Sequence, residues 1–185
     1  GAVSMVLANI TFPEGIGSQL LTLNSSAGDK YNGSFTVPLF VGQYNITFIA
    51  NDTVNNINST ETTFFVGEDL IPPAVVDLRP IANSTYNISS IIELAANVTD
   101  NREEEAAFAN VTYPNGTSTL VQLTKIFGQK FNASFAISSQ TGRYNVTFIA
   151  NDTITANVNG TESTFFNVVD NIFPIVLNIS PLPET

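Results

Sequence analysis

The chain has 185 residues, 43% of them hydrophobic and 14 of them Phe, which suffices for one or two packed cores and excludes a disordered tail. Its net charge of -10 comes from few ionised groups, since only 12% of residues are Asp, Glu, Lys or Arg, where an ordinary soluble domain carries about twice that fraction. Six Lys and Arg leave no basic patch to neutralise phosphates, so nucleic acid is not an expected partner. The absence of Cys and His removes disulfides, thiolate metal sites and the commonest general base.

Taken in chain order, Gly1 to Leu7 lack the basic start of a signal peptide, and no apolar run reaches the roughly 18 residues that span a bilayer. The chain reads as a mature product or an excised piece. The segments that follow return about one hundred residues later: ANITFPEG at 8–15 as ANVTYPNG at 109–116, and KYNGSF at 30–35 as KFNASF at 130–135. GQYNITFIANDT at 42–53 returns as GRYNVTFIANDT at 142–153, and STETTFF at 59–65 as GTESTFF at 160–166. The frame continues beyond each copy, because DLIPPAVVDLRP at 69–80 parallels DNIFPIVLNISP at 170–181. A period this long marks tandem domains.

The expected organisation is an incomplete first unit over 1–69, a complete second unit over 70–170, and at 171–185 the first strand of a third unit or a donor strand. Within the complete unit, short alternating segments predict seven strands: PAVVDLRP, SSIIELAANVT, AFANVTYP, TLVQLTKIF, FNASFAIS, RYNVTFIAND and ESTFFNVV. Turns are expected at PNG (114–116), Gly128 and Gly142, and no stretch carries helical periodicity. In RYNVTFIA, Tyr144, Val146 and Phe148 share an inward face, while Asn145 and Thr147 face water. The predicted fold class is all-β, with tandem two-sheet sandwiches of about 100 residues.

The pattern G-x-Y-x-[IV]-x-F-x-A-N resembles the sixth strand of immunoglobulin-like sandwiches. The resemblance implies that Tyr44 and Tyr144 are the corner tyrosines, and that Ile46 and Val146 stand where antibody domains place a cysteine. With neither Cys nor Trp, the chain is more similar to the cysteine-free Ig-like tandem repeats of archaeal and bacterial cell-surface proteins, whose units are strung through D-x-x-P-P or D-N-x-x-P junctions.

Asn-x-Ser/Thr triplets begin at Asn9, Asn24, Asn32, Asn45, Asn51, Asn58, Asn83, Asn87, Asn97, Asn110, Asn115, Asn132, Asn145, Asn151, Asn159 and Asn178. With Ser and Thr at roughly a fifth of the chain, 22 Asn produce about four or five triplets by chance, against sixteen present. A strand that alternates core residues with Asn and Thr writes such triplets automatically. Asn51, Asn58, Asn83, Asn115 and Asn159, in turn-like surroundings, are less open to that explanation. Dense N-linked glycosylation is the expectation, and no cofactor other than calcium is implied.

Calcium at the junctions is a further possibility, with Asp69, Asp100 and Asp170 as oxygen donors. The alternative is a simple hydrated linker. VVDNIFP at 168–174 resembles a cadherin linker without the fuller D-x-N-D-N run. Asp52 and Asp152 are expected to accept backbone hydrogen bonds at the strand end. The one acidic cluster, Glu103 to Glu105, has no counterpart in the first unit and reads as a solvated loop, so catalysis is not expected.

A unit without its opening strands exposes core and unpaired backbone. Those strands either lie outside this stretch of a longer array, or are donated by the next molecule, with PIVLNI at 174–179 as one candidate donor, to give a head-to-tail homopolymer. The function expected is an extracellular structural protein at the cell surface, in a glycosylated filament, stalk or lattice. The alternative is an adhesin segment that binds carbohydrate or another cell surface, with calcium-stiffened linkers.

Overall fold

A chain that alternates apolar and polar residues can bury one side and wet the other only as extended strands. The computed structural model describes residues 2–101, 104–152 and 157–177, and the chain divides into two compact units, Gly1–Ile71 and Pro72–Thr185. Unit 1 contains β1 (Val3–Thr11), a 3-10 turn at Pro13–Gly15, β2 (Ser18–Ser25), β3 (Tyr31–Asn32), β4 (Gly42–Asp52), β5 (Ile57–Asn58) and β6 (Thr62–Gly67). They form one antiparallel sheet in the order β3-β2-β1-β4-β5, with β6 also paired to β4.

Unit 2 contains β7 (Ala74–Arg79), β8 (Ser84–Asn87), β9 (Ile91–Thr99), β10 (Glu104–Thr112), β11 (Ser118–Phe127), β12 (Lys130–Ala136), β13 (Gly142–Asp152), β14 (Val158–Asn159) and β15 (Ser163–Val169). The strand β11 belongs to two layers: Ser118–Leu123 pair with β10, and Thr124–Phe127 pair with β12. One layer is therefore β7-β9-β12 with the end of β11, and the other is the start of β11 followed by β10-β13-β15-β8. Between them lies a core in which Leu94, Ala96, Val98, Phe131 and Phe135 from the first layer meet Val111, Val146, Phe148 and Phe166 from the second.

The central strand pair of each unit has the same register. Ile10 faces Ile46 and Val111 faces Val146, and both strand pairs shift register at one place, between Val3 and Met5 and between Glu104 and Ala106. The corner tyrosines lie where the resemblance puts them. Tyr44 Oη donates to Phe40 O at 2.8 Å, Tyr144 Oη donates to Gln140 O at 2.9 Å, and both rings are fully buried. Each ring stacks on the last strand of its unit, Tyr44 on Phe65 at 4.8 Å and Tyr144 on Phe166 at 5.0 Å.

Unit 1 contains counterparts of β10 to β15 and, among the described residues, none of β7 to β9. The consequence shows in the core: Phe148 is 1% exposed, whereas Phe48 is 36% exposed. It also shows in β3, which spans two residues where its counterpart β12 spans seven.

All seven strands expected in unit 2 are present, and the structure adds β8 and β14. The first of these runs parallel to β15, from Ser84 beside Phe166 to Asn87 beside Val169. Its letters, STYN, carry no apolar alternation, so only its neighbour makes it a strand. The acidic cluster is corrected as well. Glu104 opens β10 opposite Asp152 instead of standing in a loop, because the register shift carries the pairing past Ala106. Glu103 lies outside the described residues. Residues 171–177 follow β15 without entering a strand, with Phe173, Ile175, Val176 and Leu177 exposed, and the rest of PIVLNI lies outside the described residues.

Phe148→Ala is expected to destabilise unit 2 by about 3–5 kcal/mol, and Phe48→Ala to cost unit 1 less than half as much because water already reaches that ring. Denaturant unfolding of the two variants, followed by amide exchange in each unit, measures the contrast. At Gly142 the backbone takes a φ of 125°, and a Cβ there would stand 3.1 Å from Pro114. Gly142→Ala is therefore expected to cost about 1–3 kcal/mol in the same measurement.

Candidate functional site

The outward face of the central strand is polar and held in place by short hydrogen bonds. Asn45 Oδ1 accepts from Gln43 Nε2 at 2.6 Å, and Asn145 Oδ1 accepts from Arg143 Nε at 3.0 Å. The exchange of Gln for Arg between the copies thus keeps a donor in the same place. In unit 2 the guanidinium also lies over the Phe165 ring, 3.8 Å from its centre.

Three sequons adopt one conformation. The side-chain carbonyl of Asn58 accepts from the amide and the hydroxyl of Thr60 at 3.0 and 2.8 Å. Asn115 does the same with Thr117 at 3.0 and 2.8 Å, and Asn159 with Thr161 at 3.1 and 2.9 Å. This is an Asx turn closed by the threonine hydroxyl. It holds the carbonyl and leaves Nδ2 to face outward unless something else claims it.

Tertiary contacts claim the amide of one of these, Asn159, and of two other sequons, Asn97 and Asn132. Asn159 Nδ2 donates to Pro73 O at 2.9 Å, Asn97 Nδ2 to Asp77 at 2.7 Å, and Asn132 Nδ2 to Glu93 at 2.8 Å. Asn58 and Asn115 are exposed. Among the remaining candidates, Asn24, Asn32, Asn45, Asn83 and Asn145 are exposed, while Asn9, Asn51, Asn87, Asn110 and Asn151 are half-buried. Asn178 lies outside the described residues. The sequence signal counted triplets, and it could not separate those whose amides are committed to partners as much as 86 residues away.

The carboxylates act as local caps. Asp52 Oδ1 accepts from the amides of Val54 and Asn56 at 2.9 Å each, and the Asn56 side chain donates to Oδ2 at 2.9 Å. These bonds, the Asn56 side chain foremost, hold the Asp52 carboxyl below its ordinary range. Asp152 takes the same role toward Asn157 at 3.3 and 2.9 Å. The junction residues Asp69 and Asp170 each accept from the amide two positions on, Ile71 at 3.1 Å and Ile172 at 3.0 Å, so the two junctions share a turn. Asp69 is buried, Asp100 half-buried and Asp170 exposed. Among the described residues, no three acidic side chains gather into a group able to hold a metal ion. Nor, among these residues, is there a helix long and apolar enough to cross a membrane.

Sequence reasoning missed Glu93. It stands on β9 opposite Ser134 of β12, where Lys130 Nζ approaches its carboxylate at 2.7 Å and Asn132 donates to it. The Asn132 bond first, then Lys130, hold its carboxyl below the ordinary glutamate value. Each residue alone is an ordinary surface polar group, and only the register brings them together.

Two layers, a strand shared between them, opening strands β7 and β8 that join different layers and a tyrosine corner define immunoglobulin-like β-sandwich repeats of about 100 residues. No protein-family model matches the chain, and no curated protein matches it. Several solved structures are similar. Fibronectin(III)-like modules of CbhA from Clostridium thermocellum match at 14% identity and a TM-score of 0.45, over 92% of this chain and 81% of theirs. A tetra-tandem repeat from the extending region of a large adhesion protein matches at 15% identity and a TM-score of 0.43, over 89% of this chain and 40% of its own. CopC from Methylosinus trichosporium OB3b matches at 14% identity and a TM-score of 0.41, over 56% of this chain and 99% of its own.

Because its folded-state value is depressed, the ionised form of Glu93 contributes stability that is present above the ordinary glutamate value, about 4.5, and is lost as pH falls through the lower folded value. Glu93→Gln is therefore expected to lower the stability of unit 2 at neutral pH, with the difference from the parent vanishing below the glutamate range. Urea unfolding as a function of pH reads both arms.

Proposed function

We propose that the chain is part of an extracellular structural protein, a filament, stalk or surface lattice whose Ig-like units carry N-linked sugars and whose copies associate head to tail. One observation carries this reading: the strands common to the two units are written alike, down to register shift, corner and junction turn, with their wet face made of Asn and Thr. A module copied so closely serves as a length of material. Its joined sandwiches give reach, and the Pro-bearing junctions restrict bending.

The sugar coat follows from the same face. In the transfer, an asparagine Nδ2 forms a bond to the anomeric carbon of a lipid-linked diphospho-sugar. The carbon-oxygen bond to the diphosphate breaks, and the amide proton passes to a base of the transferase. An Asx turn that fixes the carbonyl and points Nδ2 to solvent presents the acceptor ready for that step, which favours Asn58 and Asn115. The folded structure disfavours Asn97, Asn132 and Asn159, whose amides already donate. Glycans along a sheet face would hydrate a surface with few charges and obstruct unwanted edge pairing.

Glycopeptide mass spectrometry of native material is expected to find sugar at Asn58 and Asn115, with little at Asn97, Asn132 and Asn159. Equal occupancy at all five would overturn the ranking, and bare asparagines throughout would overturn the coat. Electron microscopy of the same material is expected to show fibres or sheets with a regular axial repeat. Dispersed monomers would count against assembly.

A further inference from the structure

Unit 1 carries an open apolar groove of about 260 Å³ on its core side, walled by Leu21, Leu23, Phe35, Ile46 and Phe48. The counterparts of these residues in unit 2 are Val121, Leu123, Phe135, Val146 and Phe148, and all of them belong to the packed core or lie against it. What covers them there includes β9, which buries Ile92, Leu94, Ala96 and Val98 and pairs antiparallel with the whole of β12. The groove is thus the imprint of a strand that can be read from the other copy.

The edge beside the groove agrees. Residues 33–38 of unit 1 belong to no strand, although their counterparts up to Ala136 pair with β9. The charges agree too. Lys130 and Asn132 hold the carboxylate of Glu93, and unit 1 keeps Lys30 and Asn32 at the same positions, both exposed. A free edge, an apolar floor and a basic site for one acidic side chain together define the ligand.

We propose that this groove is an acceptor site for one extended polypeptide strand of β9 chemistry, from a repeat of this same kind. The strand presents Ile, Leu, Ala and Val on alternate residues, with an outward Glu before the Leu. It would pair antiparallel with residues 30–36 and extend β3 to the length of β12. Its Glu would meet Lys30 and Asn32, and its apolar face would cover Phe48 and Ile46. The exposed segment 172–177 does not fit this site, because its letters are those of β7, which pairs with β9 and not with β12. The inference deepens the reading of assembly by unit joining, but it stands apart from the sugar coat.

The test adds a synthetic peptide with the sequence of residues 89–100, SSIIELAANVTD, to the full chain and follows amide hydrogen exchange. Exchange at residues 31–36 is expected to slow about tenfold or more, while unit 2 is unchanged. A peptide carrying Leu94→Asp and Ala96→Asp should produce no slowing, and one carrying Glu93→Lys should bind several-fold more weakly. No slowing with the parent peptide up to about millimolar concentration, where a site of roughly 4 kcal/mol would be half filled, overturns the proposal. So does protection of the groove that rises with protein concentration and that the parent peptide does not displace, which would assign it to the open face of a second copy. Failure here with fibres seen by microscopy would leave the structural reading standing without this joint.

Discussion

Tyr44, Ile46 and Phe48, like Tyr144, Val146 and Phe148, stand on alternate residues of the strand at the middle of each unit, and the rest of the unit is arranged to cover that row. In unit 2 the cover is complete. The layer containing β9 and β12 closes over it, and the row lies at or below 1% exposure. Burial of three large side chains at roughly 1.5–3 kcal/mol each is a major share of what a domain of this size gains on folding. The corner bond from the tyrosine hydroxyl keeps the ring's polar end satisfied while the ring itself is inside, so burial incurs no penalty for an orphaned hydroxyl.

The opposite face solves a different problem. Most soluble domains stay wet through Lys, Glu, Asp and Arg, whereas this one relies on amides and hydroxyls that bond to each other and to the backbone. Asn serves twice in that arrangement. As an Asx turn its carbonyl fixes the local chain, and its Nδ2 is either committed to a distant acceptor or left facing water. Three triplets in the same Asx turn, at Asn58, Asn115 and Asn159, therefore differ in availability through one contact, the bond from Asn159 to Pro73.

The comparison between units separates local from long-range causes. β4 and β13 have equal length and the same pairing, β4 with β1 and β13 with β10, so those features need only the letters the two units share. β12 and its counterpart also share most of their letters, yet one is a seven-residue strand and the other a two-residue strand. The difference lies in the neighbour, since backbone amides and carbonyls settle into a ladder only where a ladder faces them. The same rule explains β8, a four-residue stretch without apolar alternation made into a strand by β15.

Alternation, repetition and turn residues by themselves determined the all-β class, the seven principal strands of unit 2, the inward row of Tyr, Val and Phe, and the capping role of Asp52 and Asp152. Those properties depend on residues within a few positions of each other, where periodicity and side-chain chemistry act directly. The tertiary structure decided the short strands β8 and β14, the entry of Glu104 into β10, the clasp of Glu93 by Lys130 and Asn132, and the commitment of particular Asn amides. Each of these rests on a partner brought close by sheet register from elsewhere in the chain. Register is set by burying a whole face at once, which no single stretch of sequence displays.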